Sequence, residues 1–190
     1  MDVFEAIHTT RAMRRLDPDR PVDETDLRKI LTAATKGPTG GNRQPVRWLV
    51  VRDPELKRRV GEVYRQVAHA ALDASGDSDS PHARSSYHLA DHLGEAPVLV
   101  IPCAEGDPAR LPASVYPGVQ NLMLAARALG LGTTLTTIHR VKEDAVKEVL
   151  GIPPQVNTFA IIPIGYPLGH WGEAPRKPLE EVVYWDRWPS

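Results

Sequence analysis

The 190-residue sequence contains one cysteine, Cys103. That scarcity excludes an intrachain disulfide, a CxxC redox pair and a cysteine-built zinc cage together, and it fits a reducing cytoplasm. An excess of one charge is missing too. Against 23 Lys+Arg stand 24 Asp+Glu, a net charge of −1, so no overall field gathers nucleic acid or an anionic membrane surface. No apolar run approaches membrane-spanning length, and the acidic N-terminus has no apolar h-region, so the chain is expected to be soluble and unexported. Three signatures are also absent: the GxSxG elbow of acyl-transfer hydrolases, the GxxxxGK[ST] phosphate loop and the GxGxxG dinucleotide fingerprint.

What is present reads as one domain over residues 1–190, of mixed α and β class, with a sheet sandwiched by helices. A short helix is expected over 3–9. Asp23 caps a second helix, in which Leu27, Ile30, Leu31 and Ala34 recur at helical spacing. After a strand over 48–51, Asp53-Pro54 opens a third helix, ending near Ala74, with Leu56, Val60, Val63, Val67 and Ala71 as its apolar stripe. The Gly-, Ser-, Asp- and His-bearing stretch 75–86 reads as a mobile loop, a candidate lid.

Pro97–Ala104 is a continuous apolar run, as a strand buried on both faces would be. Ser114–Leu129 reads as a helix stopped by Gly130 and Gly132. Val119, Leu122, Met123, Leu124, Ala125, Ala126, Ala128 and Leu129 surround almost its whole circumference. Such a helix needs cover on all sides, and a second copy of the chain is the economical source. A strand over 135–138, a helix over 142–150 and a strand over 159–165 follow. The tail from Pro167, rich in Pro, Gly and Trp, reads as an extended arm lying along a partner.

The most informative stretch is the turn Pro38-Thr39-Gly40-Gly41-Asn42-Arg43-Gln44-Pro45. Its glycines allow positive φ or close approach to a ligand, and Asn42, Arg43 and Gln44 crowd amide and cationic donors beside that opening, as a flat polar-edged heterocycle would require. Upstream, Arg11 and Arg14 are three apart and share a face if helical geometry extends that far. Two guanidiniums on one face suit a phosphate, and equally a solvated basic surface. His88 and His92 have the i, i+4 spacing of a metal-ligating helix, but no third ligand is evident nearby, so no metal is expected there.

Four blocks, taken in order, carry a family resemblance over nearly the full chain: residues 10–16 (Thr-Arg-Ala-Met-Arg-Arg-Leu), 34–45 around the Gly-Gly-Asn turn, 120–132 (from Gln-Asn-Leu to Gly-Leu-Gly) and 162–167 (Ile-Pro-Ile-Gly-Tyr-Pro). The chain resembles the nitroreductase family of flavin enzymes. The resemblance implies an α+β homodimer with exchanged terminal arms and FMN bound in two interface sites. It implies that Arg11 and Arg14, with Arg176, hold the FMN phosphate beside Ala12. Pro38, Thr39, Gly40 and Asn42 would line the flavin from the partner copy, with Gln44 close by, and Pro163, Ile164 and Gly165 would pass beside its central ring.

The implied activity is transfer of two electrons from NAD(P)H to a small planar acceptor such as a nitroaromatic or quinone. Relatives also include dehalogenases and substrate oxidases. No catalytic side chain is assigned, because in this family the chemistry resides in the flavin. Two departures stand out. Ala12 replaces a common serine, and Val46 replaces a common tryptophan, with Trp48 as its candidate substitute. They keep open a second reading, a non-catalytic flavin-binding protein. A metal hydrolase built on His88, Asp91 and His92 ranks far behind both.

Overall fold

The computed structural model describes residues 1–77 and 79–189. Its elements run α1 (Val3–Thr9), α2 (Glu24–Ala34), β1 (Arg47–Val51), α3 (Pro54–Ser75), α4 (Pro81–His92), β2 (Val98–Glu105), α5 (Pro112–Ala128), β3 (Gly132–Thr133), α6 (Glu143–Leu150), β4 (Val156–Thr158), β5 (Ile162–Gly165) and α7 (Leu179–Val182). The class is the expected α+β: an antiparallel sheet of order β1-β2-β5-β3, with β4 also paired to β2, flanked by helices on both faces.

Strand β2 organises both cores. Its residues alternate between faces as a pleat requires. Val98 and Val100 join Ile162 and Ile164 beneath α2 and α5, against Leu27, Ile30, Val115, Val119 and Leu122. Leu99 and Ile101 turn the other way, toward Val60, Tyr64 and Ala68 of α3 and Leu89 and Ala90 of α4. Burial on both faces explains why this strand reads as an unbroken apolar run.

The helix starts follow from local chemistry. The Asp23 carboxylate accepts from the Thr25 and Asp26 N–H groups, and the Asp53 carboxylate accepts from Leu56 N–H at 2.8 Å, with Pro54 supplying no donor that would need a partner. Helix α6 ends at Gly151, whose φ of 64° is the left-handed cap.

Three expectations are corrected. The stretch 75–86 is not a loop: Ser80 caps α4 by accepting from Ala83 N–H at 3.0 Å, Pro81 opens the helix, and only 76–80 connects it to α3, with Ser78 outside the described residues. Packing of Ala83, Leu89 and Ala90 holds a helix whose apolar stripe is thin. The strand expected over 135–138 is displaced. Regular pairing uses Gly132 and Thr133, Thr136 makes only an isolated bridge to Ile161, and Ile138–Lys142 is a 3₁₀ turn. The strand expected over 159–165 is shorter: β5 covers only Ile162–Gly165, and Phe159, Ala160 and Ile161 separate it from β4 at Val156–Thr158.

Candidate functional site

Helix α1 stops at Thr9, and Thr10 is already extended, so Arg11 and Arg14 do not share a helical face. The chain instead runs along the edge of the sheet. Met13 N–H donates to Thr133 O at 2.8 Å, Asp17 N–H to Tyr166 O at 2.8 Å, and Leu168 N–H to Arg15 O at 3.0 Å. Two glycines make that approach possible. A Cβ on Gly132 would lie 2.8 Å from Met13 Cβ, and one on Gly165 would lie 2.9 Å from Pro97 Cδ.

Buried Arg127 of α5 ties the region together. Its Nε donates to Thr9 Oγ1 at 3.0 Å, and its guanidinium stacks over Trp171 at 4.3 Å. The first part of the C-terminal tail is thereby laid back on its own chain, which carries Arg176 to the N-terminal segment.

The result is a cleft of ≈ 540 Å³ lined by Arg11, Ala12, Arg14 and Arg176, together with Thr133, Thr134 and His82. Among the described residues none of these three guanidiniums forms an ion pair with a carboxylate. Thr133 and Thr134 are buried as residues, at 4% and 3% exposure, and line this cleft; among the described residues their hydroxyl oxygens are not sealed off as buried groups without a partner. Cations without carboxylate partners beside threonine hydroxyls are the donor set that a phosphate and a polyhydroxylated chain would fill, so the residues fit FMN. Sequence reasoning missed Thr133, Thr134 and His82. The Gly-Leu-Gly-Thr-Thr helix exit was the available signal for the first two, and the Ser80-Pro81 cap for the third.

The glycine turn lies elsewhere in the chain. Gly40 N–H donates to Ser114 Oγ at 3.1 Å, Gln44 N–H to Thr39 Oγ1 at 3.1 Å, and Gln44 Nε2 to Asn42 Oδ1 at 3.3 Å. Gly41, Asn42 and Gln44 have φ of 58°, 54° and 50°. Two of these are not glycine, and such strain persists where surrounding structure enforces it. Thr39 and Gln44, with Val46, Trp48 and Ser114, line a separate pocket of ≈ 230 Å³. Pro38 and Asn42 are exposed on the same turn. Trp48 packs against Gly118, where a Cβ would meet its ring at 2.9 Å.

The third predicted segment is buried. Ile164 faces the α2–α5 core, Gly165 pairs with Gly132, and Pro163 lines a pocket of ≈ 210 Å³ with Arg14, His88 and His92. Within one chain, then, the phosphate candidates converge and the Pro163–Gly165 strand runs beside them, whereas the glycine turn lines a pocket that contains none of them. His88 and His92 close α4, their rings 4.3 Å apart, and His92 Nδ1 pairs with Glu95 at 2.9 Å. Among the described residues no cluster of three His, Cys, Asp or Glu is placed to hold a metal ion.

A helix-flanked antiparallel sheet whose edge gathers arginines without carboxylate partners defines an α+β protein with a cationic cleft and no phosphate loop. The chain belongs to the nitroreductase family, whose model matches residues 7–166. It is 31% identical over 173 residues, covering 88% of this chain and 78% of the other, to a Methanothermobacter thermautotrophicus protein whose name gives NADH dehydrogenase/NAD(P)H nitroreductase. It is 28% identical over 184 residues, covering 95% of each, to the iodotyrosine deiodinase of Thermotoga neapolitana. Its fold matches the crystal structure of the FMN and NADPH-dependent nitroreductase NfnB from sphigopyxis sp. strain HMH with a TM-score of 0.79, at 23% identity over 99% of this chain and 100% of that one. No helix among the described residues is long and apolar enough to cross a membrane.

Proposed function

We propose that the chain is an FMN-dependent oxidoreductase that moves two electrons from NAD(P)H to a small planar acceptor such as a nitroaromatic or a quinone. The cleft carries this reading: three guanidiniums without carboxylate partners, brought together from residues 11 to 176. Family membership and the names of the relatives support it. Bound there, FMN supplies the two-electron chemistry. The protein's part is to bind and orient. Arg11, Arg14 and Arg176 neutralise the phosphate, Ala12 contributes backbone, and Thr133 and Thr134 offer hydroxyl donors beside it.

In this reading residues 1–190 form one flavin-binding domain, working as a homodimer in the cytoplasm. Pro38, Thr39, Gly40, Asn42 and Gln44 reach the flavin from the second copy, and Pro163, Ile164 and Gly165 form the floor beside its ring. Separation of turn and cleft within one chain supports a site completed by a partner. So do the exposed apolar residues of both termini, with Phe4 at 69% and Trp185 and Trp188 at 82% exposure. No side chain is assigned a catalytic proton transfer.

The deciding experiment is an anaerobic titration of the FMN-loaded protein with NADPH and then NADH, following the flavin's visible band. Bleaching is expected. A band that persists with both donors sinks the NAD(P)H reading and leaves a binding protein or a different reductant. The near-full-length match to a deiodinase favours a second reading, reductive dehalogenation. Iodide release from 3-iodotyrosine by the dithionite-reduced protein would establish it.

A further inference from the structure

The last turn of α5 buries a cation, Arg127, to which the flavin reading gives no role. It is 8% exposed, and among the described residues it pairs with no carboxylate and lines no part of the arginine cleft. What it touches is the chain that leads into that cleft from both ends. Its Nε donates to Oγ1 of Thr9, the last residue of α1, at 3.0 Å, and its guanidinium lies 4.3 Å over the ring of Trp171, on the tail that leads to Arg176. A buried cation is costly without an anion, and here a hydroxyl and the negative face of an indole stand in for one.

The stack matters because the tail has little else to hold it. Leu168 N–H donates to Arg15 O at 3.0 Å, and the next backbone–backbone bond along the chain is Glu181 N–H to Pro178 O at 3.1 Å. Among the described residues, 169–177 therefore run from the sheet edge past the cleft without backbone hydrogen bonds of that kind. Directly after Trp171, Gly172 takes a φ of 149°, a backbone angle that residues with a Cβ rarely adopt. Arg176 itself is exposed, and among the described residues its guanidinium donates only to the adjoining Pro175 O, at 2.9 Å. Its place at the cleft is set by the course of the tail.

We propose that Arg127 is a positioning residue of the cofactor site: by its stack on Trp171 it holds the tail that delivers Arg176, without touching the ligand. The proposal rests on the flavin reading above and deepens it, since it makes this clamp a determinant of how well the protein tells FMN from riboflavin, which differ only by the phosphate. The cause is conformational entropy. An arginine on an untethered tail is ordered at the moment the phosphate binds, whereas one on a clamped tail is ordered in advance.

The test is a flavin-fluorescence titration of the full-length protein, freed of flavin, with FMN and separately with riboflavin. The chains compared are the native one, Arg127→Met, Trp171→Leu, Trp171→Phe, Arg176→Ala and the double variant Trp171→Leu with Arg176→Ala. Arg127→Met and Trp171→Leu should each weaken FMN by roughly tenfold, the scale of one desolvated cation–π contact, and leave riboflavin within about twofold. Trp171→Phe keeps a ring for the guanidinium and should stay within about threefold of the native chain on FMN. In the Arg176→Ala background, Trp171→Leu should change FMN affinity by less than about twofold, because no arginine is left to place. A merely structural role would not give that result. Equal loss on both flavins, an undiminished loss in the Arg176→Ala background, or unchanged FMN binding in Trp171→Leu would each overturn the proposal. Trp171 lies outside every helix and strand, so its variants decide the matter even where Arg127→Met fails to fold. A native chain that binds neither flavin would overturn the flavin reading, and the proposal with it.

Discussion

The arginine cleft and the glycine turn reach their shapes by opposite means. The cleft is assembled from segments up to 165 positions apart, Arg11 to Arg176, held by backbone hydrogen bonds across the edge of the sheet. The turn is local: eight consecutive residues closed by their own backbone and side chains, with outside hydrogen bonds to Ser114 and from Arg47. The cleft spends tertiary structure to bring like charges together without carboxylates. The turn spends backbone strain to aim polar groups outward. A ligand with a charged end and a flat polar end needs both, and the separation of the two regions in one chain is what the proposed second copy would bridge.

The largest expected effect falls on the turn's foundation. A Cβ on Gly37 would lie 2.4 Å from Gly118 N and 2.6 Å from Gly118 Cα, both backbone atoms that cannot swing away. Gly37→Ala should therefore cost about 3 kcal/mol and lower the thermal midpoint by roughly 10 °C. An unchanged midpoint would mean that the turn is not seated against α5.

The cleft should be the more acid-sensitive region. The segment that follows its threonines is held by fully buried His139, whose Nε2 lies 3.0 Å from Thr158 Oγ1 and whose Nδ1 has no partner. Thr158 O–H and N–H donate to Glu143, so His139 Nε2 is the donor toward Thr158. Burial, with Arg140 nearby, pushes the His139 imidazole down to about 4. Burial also presses Glu143 upward, but the two Thr158 bonds, with Lys147 and Arg140, overcome it and hold the carboxyl below its ordinary value.

The signs agree. An unfolded imidazole takes up a proton below about 6.5, which the folded one refuses until about 4. Stability falls across that window, by about 3 kcal/mol at its end. Glu143 adds a further loss as pH drops through its depressed folded value. Urea midpoints at pH 7.5 and 4.5 measure this, and His139→Gln should flatten the slope. A midpoint independent of pH over that range would refute this role of buried His139.

Ligand binding separates the regions more finely. Arg11→Ala and Arg176→Ala should each weaken FMN by about 2 kcal/mol and spare riboflavin, whereas Asn42→Ala should weaken both alike. Equal loss on both flavins in the arginine variants would move the phosphate elsewhere. The smallest effect is Gly41→Ala: at a φ of 58° a side chain costs about 1 kcal/mol. A neutral result would show that the turn relaxes.

Local chemistry was legible from the amino-acid order alone. Asp23 and Asp53-Pro54 announced two helices, the apolar run 97–104 announced the central strand, and four blocks announced the family. The illegible parts share one cause. Helix α4 has a thin apolar stripe and exists because α3 receives it. Gly132 and Thr133 pair as a strand because glycine leaves room for Met13, a residue far away in sequence whose Cβ a side chain at 132 would meet at 2.8 Å.

Composition and order determined the α+β class, the helix boundaries set by capping aspartates, and a positive-φ turn between α2 and β1. Those are decided within a few residues by hydrogen bonds and steric limits, which is why they can be read in sequence. Only the tertiary structure decided that Arg11 and Arg14 meet along an extended segment instead of a helical face, that Arg176 returns to them, and that His82, Thr133 and Thr134 line the same cleft. Convergence of like charges is unfavourable until a fold holds them in place, so no local rule could have foretold it.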